Sequence, residues 1–264
     1  MANALVGFSG FVGGTLLRQT SFEALYRSTN IEEIRDHEFD TVVCAGAPAK
    51  KWLANRDPEG DWQSVSRLID HLKTIKCRRF VLISTVDVFG SPVDVDERTV
   101  VEEDGLHAYG LHRRRLEKFV ESHFPEHLIV RLPGLVGPGL QKNVIFDFLN
   151  GNNLHAIDSR NVFQFYPMVN LWFDIQSALK ADLRLVHLTS EPISVAAVSR
   201  ECFGKLFDND LDGTPVAYSM KTVHANMFGG SGSYQYSRRE TIQAIRAYAQ
   251  TEPVTLGRGV GASA

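Results

Sequence analysis

The sequence predicts an α/β protein built on a parallel sheet that helices cover on both faces. Short apolar segments, as expected for strands buried on both sides, alternate with segments of helical periodicity along the first half of the chain. The apolar segment FVLIS at 80–84 is the clearest of them. The predicted strands cover 4–8, 24–27, 41–45, 80–84 and 128–132, and the predicted helices cover 11–18, 62–73 and 109–122.

Three glycines, Gly7, Gly10 and Gly13, stand where the first strand meets the first helix. Glycine suits this junction because one residue must turn tightly, one lets a diphosphate approach the backbone, and one lets the helix pack closely on the sheet. The spacing GxxGxxG differs from the GxGxxG of many dehydrogenases, and a glycine trio alone could be no more than a turn. Its place between a strand and a helix favours a dinucleotide site, to which we also assign Phe11 and Val12.

The end of the second predicted strand, Tyr26-Arg27-Ser28-Thr29, has no carboxylate that could hold the adenosine ribose hydroxyls of NAD. An arginine followed by hydroxyl side chains suits a 2′-phosphate, because a guanidinium binds phosphate as a fork and a carboxylate would repel it. The alternative is that Arg27 is a solvated surface residue. We therefore expect Arg27 and Ser28 to bind NADP, with NAD as the possible substitute.

The composition excludes several classes of protein. With 264 residues, 44% hydrophobic and 22% charged, the chain is typical of a folded globular protein and not of a disordered or fibrous one. A net charge of -3 gives no basic excess for nucleic-acid binding. The chain has no apolar run of about 18 residues, so we expect no membrane span. We also expect no signal peptide and a cytoplasmic location.

The cysteines and histidines indicate neither disulfides nor a metal. The three cysteines are far apart, which is typical of reduced thiols. The nine histidines show no HExxH or other metal-ligand spacing, so we predict no metal.

Three side chains are candidates for catalysis. Tyr109 and Arg113 lie four residues apart on a predicted helix, so they share one face. A cation beside a phenol favours the phenolate and brings its proton toward the acidity that carbonyl reduction needs. Thr85 follows the 80–84 strand at the carboxyl edge of the sheet, where its hydroxyl could donate to a substrate carbonyl. Taken one at a time, each residue has a simpler explanation. Tyr109 could be a half-buried helix residue, Arg113 could belong to a solvated basic run, and Thr85 could cap a turn or helix.

Five segments in order resemble the extended short-chain dehydrogenases/reductases, in the group of NAD-dependent epimerases, dehydratases and sugar reductases. They are GFSGFVG at 7–13, CAGAP at 44–48, FVLISTVDVFG at 80–90, YGLHRRRLE at 109–117 and RLPGLVGPG at 131–139. A weaker similarity follows at 185–195. The combination is specific, although no single segment is.

The resemblance implies a Rossmann-like doubly wound sheet and gives the candidate residues their roles. The tyrosine of the family's YxxxK motif, a general acid/base, falls on Tyr109, and the residue that polarises the carbonyl falls on Thr85. The family's lysine, which holds the nicotinamide ribose and lowers the tyrosine pKa, falls on Arg113. This is a departure, because arginine is planar, bulkier and hard to deprotonate. The family's helix asparagine is replaced near Asp61.

The resemblance also implies further contacts to the cofactor and the substrate. The cofactor is expected against Ala45, Gly46, Ala47, Leu132 and Pro133. The substrate is expected against Val86, Asp87, Asn143 and His224. For His224, a glycine-rich loop could bind a phosphate or carboxylate through backbone N–H groups, although a turn before the last helix, 237–249, is the simpler interpretation.

We expect a dinucleotide-binding Rossmann domain at 1–132, a smaller substrate-binding lobe at 133–255 whose strands can return to the main sheet, and a flexible tail at 256–264. In the second lobe, the aromatic segments 163–166 and 170–172 could line a pocket, but core packing is the more frequent role of such residues.

The predicted function is an NAD(P)-dependent oxidoreductase or epimerase, with NADP preferred, that acts on a carbonyl or hydroxyl of a sugar or sugar-nucleotide-like substrate. The alternative is a non-catalytic NADP(H)-binding regulator or assembly factor on the same fold. The arginine at position 113, in place of the family's lysine, would indicate this loss of catalysis. The expected partner is a small molecule, not a nucleic acid or a membrane. A homodimer is possible, although the many charges on helix 109–122 would make a poor hydrophobic interface.

Overall fold

The protein is described by a computed structural model that covers residues 1–255. Its strands are β1 (Asn3–Val6), β2 (Ala24–Tyr26), β3 (Glu38–Cys44), β4 (Lys76–Thr85), β5 (Val93–Val95), β6 (His127–Leu132), β7 (Gly134–Val136), β8 (Val162–Phe163), β9 (Phe165–Pro167), β10 (Leu185–His187), β11 (Ile193–Ser194) and β12 (Ser219–Met220). Its helices are α1 (Phe11–Gln19), α2 (Lys51–Arg56), α3 (Pro58–Leu72), α4 (Ala108–His123), α5 (Val144–Asn150), α6 (Leu171–Lys180), α7 (Val195–Phe203) and α8 (Arg238–Thr251).

The central sheet has six strands in the order β10-β6-β4-β3-β1-β2, and every neighbouring pair is parallel. The chain runs outward from β1 to β2 on one side and from β3 through β4 to β6 on the other. The direction therefore reverses between β1 and β3, and a crevice opens there beyond the carboxyl ends of the strands. The predicted doubly wound α/β fold is confirmed.

Both faces of the sheet are buried because side chains alternate along each strand. In β1, Ala4 and Val6 pack into an apolar cluster with α3 and α4, whereas Leu5 packs into a second cluster with α1 and α6. Helices on both faces explain why the strands are apolar throughout and do not alternate with polar residues.

Helix α3 illustrates how the sequence fixes an element. The carboxylate of Asp57 accepts the backbone N–H of Gly60 at 3.0 Å, and Pro58 occupies the first helical position. The buried apolar residues then recur at helical spacing and turn one side of the helix to the sheet; they are Val65, Leu68, Ile69 and Leu72.

Residues beyond β6 build a third apolar cluster from α5, α7 and α8. Two short strand pairs, β7–β9 and β8–β11, belong to this region. Strand β10 instead joins the central sheet as its edge strand, beside β6. Phe165 and Tyr166 are fully buried, so core packing is their role. The predicted flexible tail at 256–264 lies outside the described residues, and the domain division at 132/133 stays a prediction.

Several charged side chains of α4 are buried. His112, Arg113 and Glu117 point inward and are at most 5% exposed, which rules out the alternative that Arg113 is part of a solvated basic run. Glu117 accepts two hydrogen bonds from Arg131 of β6, at 2.8 and 2.9 Å, and one from Ser84 of β4 at 2.6 Å. These partners come from distant parts of the chain, so sequence reading could not pair them.

Candidate functional site

A groove of about 460 Å³ lies at the predicted crevice, where the carboxyl ends of β1 and β3 meet the start of α1. It is lined by the glycine loop, the end of β2, the segment after β3, one turn of α3, and two residues of the second lobe. The lining residues are Val6, Gly7, Ser9, Gly10, Phe11, Val12, Arg27, Ser28, Ile31, Ala45, Gly46, Ala47, Pro48, Ala49, Ser64, Arg67, Leu68, Leu135 and Lys142.

The three glycines of the loop have the separate roles that a diphosphate cradle requires. Gly7 turns the chain at φ +87°, and a Cβ there would lie 2.3 Å from the Ala45 oxygen. A Cβ on Gly13 would lie 2.2 Å from the Gly7 oxygen, so this residue permits the close packing of α1. A Cβ on Gly10 would lie 3.5 Å from its nearest neighbour, the Gly7 oxygen, which is an ordinary contact. Gly10 itself lines the groove. The residues present therefore fit a dinucleotide diphosphate at the start of α1.

Two arginines lie at the β2 end of the groove. The Arg27 Nε donates to the Thr29 hydroxyl at 3.0 Å, and the guanidinium carbon lies 5.6 Å from the centre of the Phe8 ring. Arg67 of α3 donates to the Ser28 carbonyl at 3.2 Å. The sequence analysis missed Arg67, because it lies 40 positions after Arg27 and only the fold brings the two together.

The proposed catalytic tyrosine is held by the first turn of α4. The His107 ring nitrogen accepts the backbone N–H of Gly110 at 3.0 Å, and the Asn55 side chain accepts that of Tyr109 at 3.0 Å. A Cβ on Gly110 would lie 2.1 Å from the backbone carbonyl oxygen of Asp87. The glycine that follows Tyr109 therefore lets α4 approach Asp87, which lies just after Thr85, the last residue of β4.

Thr85 and Tyr109 meet at the carboxyl edge of the sheet. The Thr85 hydroxyl accepts the backbone N–H of Asp87 at 3.1 Å and lies close enough to the Tyr109 phenol to lower its pKa. Burial raises the pKa of Tyr109 above its ordinary value of 10.0, and the opposing effects of Arg113 and Thr85 do not cancel this. The phenol is therefore protonated at neutral pH and can donate a proton.

Arg113 has a different environment from the one that the sequence predicts for it. Both of its terminal nitrogens donate to the Asp61 carboxylate, one of them at 2.9 Å, and one also donates to the Pro48 carbonyl. Its guanidinium carbon lies 4.0 Å from the centre of the Tyr109 ring. Asp61 additionally contacts the His112 ring nitrogen at 2.7 Å. Arg113 is thus paired within the protein, on the side of Tyr109 that faces α3.

A second polar cluster borders Tyr109. The Asp87 carboxylate forms an ion pair with Lys51 at 2.7 Å and accepts the Tyr218 hydroxyl at 2.8 Å. Asp87 contributes to the raised pKa of Tyr109, which places this carboxylate near the phenol. Lys51 and Tyr218 were missed by the sequence analysis, since neither belongs to a recognisable motif.

Most of the predicted cofactor contacts line the groove, but two do not. Ala45, Gly46 and Ala47 lie along its wall. Leu132 and Pro133 are buried and do not line it, and Leu135, farther along the chain, takes that place.

The predicted substrate contacts are more scattered. The Val86 side chain is packed in a small core with Val95 and Met220, so it does not face the groove, and its role toward a substrate stays a prediction. The Asn143 side chain caps α5, accepting the N–H groups of Ile145 and Phe146, and also donates to Leu135.

His224 begins a short turn in the second lobe, where its backbone N–H donates to Thr222. The roles of Asp87, Asn143 and His224 toward a substrate stay predictions.

The described part of the chain contains neither a metal-binding cluster nor a membrane-spanning helix. In residues 1–255, no group of three His, Cys, Asp or Glu side chains is arranged to hold a metal ion. No helix in the same range combines the length and apolar character of a membrane span.

The fold is similar to solved sugar-nucleotide enzymes. It matches a dTDP-4-dehydrorhamnose reductase of Clostridium acetobutylicum with a TM-score of 0.72 and 15% identity, over 95% of this chain and 99% of that chain. It matches RMD of Pseudomonas aeruginosa, complexed with NADPH, with a TM-score of 0.71 and 16% identity, over 95% and 99%. It matches a UDP-glucose 4-epimerase of Thermotoga maritima with a TM-score of 0.68 and 14% identity, over 94% and 97%. At these identities the likeness establishes the fold.

No curated protein matches the chain by sequence at a significant level. A family profile does match, over residues 22–158, which is slightly more than half of the chain. This match spans the end of β2, the Thr85 segment and the helix of Tyr109, so it confirms the resemblance seen in the sequence. The chain belongs to the NAD dependent epimerase/dehydratase family.

Proposed function

We propose that this protein is an NADP-dependent oxidoreductase or epimerase that acts on a carbonyl or hydroxyl of a sugar-nucleotide-like substrate. The observation that carries the proposal is the meeting of the Tyr109 phenol and the Thr85 hydroxyl at the carboxyl edge of the sheet. Family membership and the similarity in fold to enzymes named as dTDP-sugar reductases and UDP-sugar epimerases support the substrate class.

In the proposed reaction, Thr85 donates a hydrogen bond to the substrate oxygen and Tyr109 transfers the proton. A bound nicotinamide cofactor supplies or accepts the hydride. Tyr109 is 9% exposed, so its proton is protected from bulk water until a substrate oxygen reaches it. Hydrogen bonds that are fixed in advance toward a developing alkoxide lower the barrier, because they need no rearrangement during the reaction.

The direction that these residues favour is reduction. A phenol with a raised pKa is a ready proton donor to a carbonyl oxygen and a poor acceptor from a hydroxyl at neutral pH. Reduction of a ketone consumes that proton, whereas epimerisation begins with an oxidation that needs the phenolate. We therefore place net reduction ahead of epimerisation for this chain.

NADP is the proposed cofactor because the β2 end of the groove is cationic. Arg27 and Arg67 border it together with the hydroxyl groups of Ser28 and Ser64. Among the described residues that line the groove there is no aspartate or glutamate. A dianionic 2′-phosphate gains from two guanidinium groups, whereas the ribose hydroxyls of NAD gain most from a carboxylate.

A non-catalytic NADP(H)-binding protein is the second candidate, and the pairing of Arg113 favours it. The family's lysine at this position is expected to hold the cofactor ribose and to lower the pKa of the tyrosine. Arg113 donates to Asp61 and Pro48 instead, and the pKa of Tyr109 is raised and not lowered. Binding without turnover is the behaviour that this arrangement would give if Tyr109 had lost its role.

The test begins with fluorescence titrations of NADPH and NADH, followed by NADPH oxidation with dTDP- and UDP-4-keto sugars. We expect NADPH to bind more tightly, and Arg67→Gln to weaken NADPH about tenfold while NADH binding stays unchanged. Tyr109→Phe should abolish turnover and keep NADPH affinity. Turnover that survives this substitution would refute the mechanism, and tight binding without turnover of any substrate would support the second candidate.

A further inference from the structure

A lysine of the second lobe lies at the groove beside the loop that follows β3. The Lys142 ammonium donates to the Ala49 carbonyl, and Lys142 and Ala49 both line the groove. Lys142 comes just before α5, so this hydrogen bond joins the second lobe to the loop between β3 and α2. A lysine that reaches across a groove to a neutral carbonyl has its positive charge available to a ligand.

Within the described residues, no ion pair balances the charge of Lys142. In residues 1–255, no carboxylate comes within 4.0 Å of its ammonium to form an ion pair, although the chain as a whole is acidic. Partial burial, together with the nearby cations Lys50 and Arg113, lowers the pKa of Lys142. Arg113 is already paired with Asp61, but Lys50 and Lys142 repel each other, so an anion beside Lys142 would be favourable.

The start of α1 lies against the same region. Phe11 packs into the apolar cluster that contains Leu140, and Arg18 donates to the Pro138 carbonyl at 3.0 Å. The segment before Lys142 is therefore held against α1, by Phe11 at the start of the helix and by Arg18 in its last turn. The two charged regions of the groove then correspond to the two charged groups of NADP, because Arg27 and Arg67 border the β2 end.

We propose that Lys142 is a ligand for the cofactor diphosphate, contributed by the second lobe and facing the backbone N–H groups at the start of α1. This rests on the proposed use of NADP. A phosphate oxygen is a stronger acceptor for an ammonium than a neutral carbonyl is. The lysine exchanges its bond to Ala49 for one to the diphosphate, which holds the second lobe over the loaded groove.

The experiment compares ligands that carry different charged groups. Fluorescence or calorimetric titrations of wild type and Lys142→Gln use NADPH, and adenosine 2′-monophosphate serves as the ligand without a diphosphate. We expect Lys142→Gln to weaken NADPH about tenfold and to leave adenosine 2′-monophosphate within about twofold of wild type. Lys142→Arg should keep most of the affinity, and Lys205→Gln, on an exposed residue after α7, should change neither ligand.

Three results would overturn the inference. Unchanged NADPH affinity in Lys142→Gln would mean that the ammonium does not contact the cofactor. An equal loss for both ligands would mean that the substitution distorts the groove. Weaker binding of UDP-glucose with unchanged NADPH affinity would assign Lys142 to the substrate diphosphate. A wild-type protein that binds no NADPH would instead refute the proposed function itself.

Discussion

The Arg113 guanidinium carbon lies 4.0 Å from the centre of the Tyr109 ring, so the cation faces the π-system of the residue it was predicted to activate. A cation over an aromatic face is attracted to the ring and holds its orientation. The same guanidinium is bound by Asp61. The charge of Arg113 lowers the pKa of Tyr109, but burial raises this pKa by more, so Arg113 orients the ring without making the phenol acidic.

The Arg113–Asp61 pair is expected to be important for stability. The two side chains are 4% and 5% exposed, so removing one partner leaves a buried charge without compensation. Asp61→Asn should lower the free energy of unfolding by about 3 kcal/mol, measured by urea denaturation.

The matched control is the double variant Asp61→Asn, Arg113→Met, which removes both charges together. It should recover a large part of the lost stability, because no buried charge is left alone. If the single and the double variants are equally unstable, the two residues do not act as a pair.

The raised pKa of Tyr109 predicts the shape of the pH profile. Reduction needs the protonated phenol, and the fraction of this form falls only when the pH rises above the pKa. We expect the rate of reduction, measured as kcat with NADPH, to show no decline up to about pH 9 from this group. A decline with a midpoint near pH 7 would mean that the phenol has the lowered pKa typical of a lysine-activated tyrosine.

Local patterns in the sequence were sufficient for the elements that bind the cofactor. The glycines at 7, 10 and 13 fulfil three different steric requirements within seven residues, and the strand and helix around them are visible as neighbouring patterns. Arg27 and Ser28 follow at the end of the next strand. Each of these positions depends on residues close in sequence, and each lines the groove or packs beneath it, while their contact with a cofactor stays a prediction.

Long-range pairing limited the prediction of the catalytic residues. Tyr109 and Thr85 could be placed by motif, but the partner of Arg113 is Asp61, 52 positions earlier on α3. The alternative from the sequence was that Arg113 belongs to a solvated basic run with its neighbours. Only the fold reveals that Asp61 of α3 pairs with Arg113 and that Glu117 of α4 pairs with Arg114.

His107 makes stability depend on pH. Burial, followed by the nearby charge of Lys51, lowers its pKa from the ordinary value of 6.5, so the folded protein keeps the ring neutral. The neutral ring accepts the N–H of Gly110 at the start of α4, and a protonated ring could not. As the pH falls, His107 is protonated in the unfolded chain at a higher pH than in the folded protein. The neutral ring therefore contributes fully to the free energy of unfolding above pH 6.5, and this contribution is lost as the pH falls below 6.5.

The comparison of wild type with His107→Asn checks this contribution. Asparagine can still cap the helix but does not titrate. The difference in melting temperature between pH 7.5 and 5.5 should be smaller in the variant than in wild type. Equal pH dependence in the two proteins would show that other groups, such as His71 and His187, whose pKa values are also lowered, account for all of it.

The glycine loop permits a test that separates folding from cofactor binding. Gly13→Ala would place a Cβ 2.2 Å from a backbone oxygen, which no side-chain rotation can relieve, so we expect a loss of at least 2 kcal/mol in the free energy of unfolding. In Gly10→Ala, the added Cβ would lie 3.5 Å from the Gly7 oxygen, so the variant should fold nearly normally. Its methyl group, however, would occupy the part of the groove where the diphosphate would lie. We therefore expect NADPH affinity to fall with little change in melting temperature.

Gly14→Ala is the control within the same helix. Its added Cβ would lie 3.8 Å from the nearest atom, an ordinary contact, and alanine is the better helix former by about 1 kcal/mol. It should be as stable as wild type or more stable, with unchanged NADPH affinity. If Gly10→Ala binds NADPH as tightly as Gly14→Ala does, the diphosphate does not lie against Gly10, because a cofactor in this groove cannot pass the start of α1 without meeting that methyl group.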